Sequence, residues 1–65
     1  MTGRELRELR AEWGLTQSGL ADILGLKAQT ISDLERGVMK ISNSVENHIL
    51  VVKKLREIKK ILDSS

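Results

Sequence analysis

A chain of 65 residues has room for one domain, and with 40% hydrophobic residues and 20 positions filled by Leu, Ile or Val it has the apolar content of a folded one. Without cysteine it has no disulfide framework or thiolate metal site, and its longest apolar run, Ile49–Val52, is far short of the roughly 20 residues that cross a membrane. The net charge of +2 divides as six basic against six acidic side chains over residues 1–43 and five against three over residues 44–65, which permits a polyanionic partner without any polybasic tail.

The absence of proline removes the strongest helix breaker, and glycines punctuate the chain instead. Thr2-Gly3-Arg4-Glu5 reads as a capping box that opens a first helix over about residues 3–13. Leu6, Leu9 and Trp13 share one face of it, and Gly14 closes it. Thr16 caps a second helix over 17–24, with Leu15 and Leu20 placed as a hydrophobic staple. Its buried stripe is Leu20, Ala21 and Leu24, and Gly25 ends it. A third helix over 28–36 turns Ile31 and Leu34 inward, while Ala28, Gln29, Ser32, Asp33 and Arg36 fall on one outward arc. Gly37 stops it, and residues 37–43 read as a loop. Ser42 or Asn43 then caps a fourth helix, predicted over 44–65. It carries two apolar stripes, Val45, Ile49 and Val52 on one side and Val51, Leu55, Ile58 and Leu62 on another.

Helices two and three hold most of the functional information. Two short helices joined at a glycine turn need a small residue at the crossing, here Ala21, and aliphatic residues that lock the angle, here Leu20, Leu24, Leu26, Ile31 and Leu34. The run Thr16-Gln17-Ser18-Gly19-Leu20-Ala21-Asp22-Ile23-Leu24-Gly25-Leu26, followed by Thr30-Ile31-Ser32-Asp33-Leu34-Glu35-Arg36-Gly37, resembles the phage Cro/repressor-type helix-turn-helix family, also called the xenobiotic-response-element family. Thr-Gln, Leu-Ala, Gly, an aliphatic residue, Ile-Ser and Glu-x-Gly all stand at the family's spacing, and the resemblance covers roughly residues 3–42.

The resemblance implies an all-α fold: a compact, lambda-repressor-like helix-turn-helix bundle, here with a long C-terminal helix. It implies a third helix that enters the DNA major groove, and dimers that meet two half-sites about 34 Å apart. Carried over by position, Ala28, Gln29, Ser32 and Asp33 become base-reading residues, and Gln17, Lys27, Arg36, Lys40, Ser42 and Asn43 become phosphate contacts. Arg10 and Glu35 become a structural ion pair between helices one and three. The chain departs from the family in having Lys27 in place of a Ser or Thr cap, Ile41 in place of a proline, and one long helix in place of two short ones.

The expected function is that of a sequence-specific DNA-binding regulator, a repressor acting as a homodimer on a palindromic operator. The expected partners are double-stranded DNA and a second copy of the chain. Residues 1–43 are expected to form the DNA-binding region, and residues 44–65 to complete the core and dimerise through Val51, Leu55, Ile58 and Leu62. The alternative is a protein-interaction module, antitoxin-like or an anti-regulator subunit, that holds a partner through helix four. Trp13 is expected in the core. The lone histidine, His48, has Ser44 and Val52 as its i±4 neighbours, which build no metal site, and nothing marks a nucleophile beside it. No enzyme activity, metal, cofactor, small-molecule ligand or membrane association is expected. The opening Met1–Arg10 has no apolar core after its charges, so no secretory signal is read there, and a cytoplasmic location is expected.

Overall fold

The computed structural model describes residues 1–64; Ser65, the expected end of the fourth helix, lies outside the described residues. Four helices follow in order, α1 Gly3–Glu12, α2 Gln17–Leu24, α3 Ala28–Arg36 and α4 Asn43–Ser64, and no strand occurs among the described residues. The molecule is all-helical and compact, with a long C-terminal helix.

Local chemistry accounts for where each helix begins. The Glu5 N–H donates to Thr2 Oγ1 at 3.1 Å, and the Thr2 N–H donates back to Glu5 Oε1 at 3.2 Å. Thr16 Oγ1 accepts from the Gly19 N–H at 2.9 Å and so opens α2. Of the two candidates at α4, Ser42 is the cap, its Oγ accepting from the Val45 N–H at 3.2 Å, while Asn43 is the first helical residue. Lys27 gives α3 no side-chain cap.

The turn between α2 and α3 depends on Gly25. Its φ of 70° lies in the left-handed region, where a Cβ is strained, and this lets the Leu26 N–H reach back to the Ala21 carbonyl at 2.8 Å. Gly14 and Gly37 close α1 and α3 with similar backbone angles.

The core is a contiguous cluster of Leu6, Leu20, Ala21, Leu24, Ile31, Leu34, Ile41 and Ile49. Leu9, Trp13, Leu15, Leu26, Val45 and Val52 pack around it, partly buried. Residues 37–42 are irregular, as expected of a loop, Asn43 is already helical, and Ile41 within the connection is buried in the core. Trp13 is only half-buried; it caps α1 at its C-terminal end, and the Arg56 guanidinium lies over its ring, 4.9 Å from the centroid.

Gly3 marks a close approach. A Cβ built there would lie 2.5 Å from the carbonyl oxygens of both Leu34 and Glu35, so the start of α1 rests directly on the backbone near the end of α3. The Met1 ammonium pairs with Glu46, which ties the amino terminus to α4. Hydrogen bonding to Glu46 is the largest influence on that ammonium and raises its pKa.

The 22 residues of α4 extend about 33 Å. The bundle measures 41 × 22 × 20 Å, so the distal half of α4 runs past the three-helix core. Every described residue beyond Val52 is exposed.

Candidate nucleic-acid interface

One carboxylate joins the three helices of the amino-terminal bundle. Arg10, near the end of α1, donates from Nε to Glu35 Oε2 at 2.6 Å and from Nη2 to Glu35 Oε1 at 3.1 Å. The two-pronged contact suits the planar guanidinium and fixes its orientation. The third arm, Nη1, donates to the Leu15 carbonyl at 3.0 Å, in the turn before α2. Gln17, the first residue of α2, donates from Nε2 to Glu35 Oε1 at 3.3 Å.

The Glu35 side chain is only 4% exposed. Burial alone would raise its pKa, but the hydrogen bonds from Arg10 and Gln17 and the nearby positive charges of Arg10 and Arg7 outweigh it. The carboxyl therefore titrates below its ordinary 4.5. The same hydrogen bond to Glu35 raises the Arg10 pKa. This knot sits at the carboxyl-terminal end of α3, so the helix is held by polar contacts at that end and by Ile31 and Leu34 along its inner side.

The outer side of α3 carries Gln29 and Arg36 exposed, with Ala28, Ser32 and Asp33 half-buried. Asp33 organises this surface. Its Oδ1 accepts from Gln29 Nε2 at 3.0 Å and from Arg36 Nη2 at 2.7 Å. Three of the expected DNA-facing side chains are thus bonded to one another along a single helix face. The i,i+4 and i,i+3 spacings of Gln29, Asp33 and Arg36 carry the signal for this network.

The remaining expected contacts flank the helix. Lys27 is exposed just before α3, and Lys40, Ser42 and Asn43 are exposed around the start of α4. Ser42 spends an acceptor lone pair on the α4 cap and keeps its hydroxyl proton available to donate. Gln17 gives one amide hydrogen to Glu35 and keeps a second. Val51, Leu55 and Ile58 are 56%, 60% and 46% exposed on α4, and Leu62 follows one helical turn further on. Gly3, Ile41, Glu46 and Arg56 are the contacts that pattern reading missed. The capping box at residues 2–5 accounts for Gly3 without any long-range approach, and the other three depend on tertiary proximity that no local spacing encodes.

A capped short helix with a buried alanine, a left-handed glycine turn and a second helix packed against the first define a helix-turn-helix, with one polar face of the second helix turned outward. A family model described as helix-turn-helix matches residues 6–45, and the chain belongs to that family, of the Cro/repressor type. Proteins of this family are DNA-binding transcription regulators. No curated protein and no solved structure matches the chain at a significant level. Among the described residues, no helix is long and apolar enough to cross a membrane.

Proposed function

We propose that the protein represses transcription by occupying a palindromic operator as a homodimer, with α3 of each copy in the major groove. The observation that carries this reading is the fixed presentation of α3. The knot of Arg10, Gln17 and Glu35 anchors its far end, while Gln29 and Arg36 stand exposed on the opposite side. Rigid support of this kind is what hydrogen-bond readout of base edges requires.

In this proposal residues 1–43 bind DNA, and residues 44–65 complete the core and pair two copies. Gln29 is matched to adenine, which it can contact through two hydrogen bonds, and Ser32 reads beside it. Ala28 suits a thymine methyl, and Asp33 a cytosine amino group. Lys27, Arg36 and Lys40 supply charge to phosphates. Gln17, Ser42 and Asn43 supply neutral donors. Two half-sites would then lie about 34 Å apart. Val51, Leu55, Ile58 and Leu62 form the seam between copies.

The internal pairing of Asp33 with Gln29 and Arg36 favours a second reading, in which α3 faces a protein partner and not a polyanion. A mobility shift with random duplex at low salt separates the two. The repressor reading expects a shift at micromolar protein that fades steeply as salt rises, and a flat result would transfer support to the protein-binding reading.

A further inference from the structure

We infer that two copies of this chain pair through α4 in the antiparallel sense, with Leu55 of each copy against Ile58 of the other and Val51 against Leu62. This inference rests on the homodimer proposed above and specifies its geometry. At about 100° per residue, Val51, Leu55, Ile58 and Leu62 lie on the side of α4 opposite Ile49, which is buried in the core. The seam is therefore available without disturbing the bundle.

Its spacing of four, three and four reads the same in both directions. An antiparallel pair centred between Leu55 and Ile58 thus brings every seam residue onto a seam residue. A parallel pair also stacks the four layers, so apolar burial does not choose between the two arrangements. The flanking charges do.

Lys54 and Lys59 lie on the two shoulders of the seam. In a parallel pair the shoulder residue of one helix meets the opposite shoulder of its partner five residues on. That places Lys54 against Lys59 of the other copy, twice by symmetry, and like charges at close range repel. In the antiparallel pair each shoulder meets its own kind. Lys54 then lies beside Ile61 of the second copy, and Lys59 beside Val52. The aliphatic stems of the lysines cover apolar surface while their ammonium groups reach water. Ile61, 68% exposed in the single chain, gains a cover by this arrangement and gains less by the other.

The chain has no cysteine, so single cysteines report the geometry cleanly. Val51→Cys and Leu62→Cys variants, mixed in equal amounts in a glutathione redox buffer, should form mainly the mixed disulfide, resolved by mass. Predominance of the two homodisulfides would overturn the antiparallel arrangement while leaving a dimer in place. A wild-type chain that sediments as a monomer at high micromolar concentration would instead overturn the homodimer on which the inference rests. Lys54→Glu provides a check free of crosslinking. In a parallel pair it would turn repulsion from Lys59 into attraction and tighten the dimer about tenfold, whereas the antiparallel pair predicts an affinity changed less than about threefold.

Discussion

Asp33 governs what the outer face of α3 can offer. It holds one Gln29 amide hydrogen and one arm of the Arg36 guanidinium through a single carboxylate oxygen, and so orients both side chains along the helix. It also sets a negative charge on a surface proposed to approach phosphates. Asp33→Ala should therefore raise affinity for random duplex and steepen the salt dependence by about one phosphate-equivalent, as measured by fluorescence anisotropy across a salt series. An unchanged slope would mean that Asp33 does not hold Arg36 back from the backbone. Gln29 acts at one base pair. Gln29→Ala should cost about 1–3 kcal/mol on the selected operator and level the preference at that position. Equal loss on all sequences would remove Gln29 from base readout.

Among the elements, α1 and α3 are locked together at two points of different kind. Gly3 supplies space, since its missing Cβ is what allows the Leu34 and Glu35 carbonyls to lie so close. Gly3→Ala should destabilise the fold by about 1–3 kcal/mol in urea denaturation, because backbone cannot yield as a side-chain tip can. The second point is the carboxylate of Glu35. Its pKa is depressed in the folded chain, so the unfolded chain takes up the proton first. The stability that it contributes is complete above its ordinary 4.5 and is lost as pH falls through the lower, folded-state value. Glu35→Gln should weaken the protein at neutral pH and flatten the acid limb of its stability curve, as followed by circular dichroism. An acid limb as steep as that of wild type would assign acid unfolding to other carboxylates.

The four helices could be read from the sequence because caps and glycine stops are local. Thr2 with Glu5, and Gly25 in the turn, signal within a few residues. Ile41 could not, because an aliphatic residue in an irregular segment gives no period, and only tertiary packing buries it. The Met1 pairing with Glu46 spans 45 residues of sequence and has no local signature. On the proposed interface, which side of α3 turns outward followed from helical periodicity. That Asp33 ties its neighbours together depends on rotamers, which spacing permits but does not choose.

At the scale of the whole molecule, α4 belongs to two environments. Its first half carries Ile49 into the core, and its second half extends past the bundle with Leu55 and Ile58 in water. Leu55→Glu should give a monomer in sedimentation equilibrium with helical content intact, because residue 55 contributes nothing to the buried cluster. Loss of the fold together with the dimer would show that the seam also supports the bundle. The central claim, that the exposed face of α3 reads duplex DNA, is tested most directly by enrichment of bound duplexes from a random pool at low salt. The account predicts two inverted half-sites about 10 base pairs apart, centre to centre. A pool that emerges with no sequence preference over its input would contradict it.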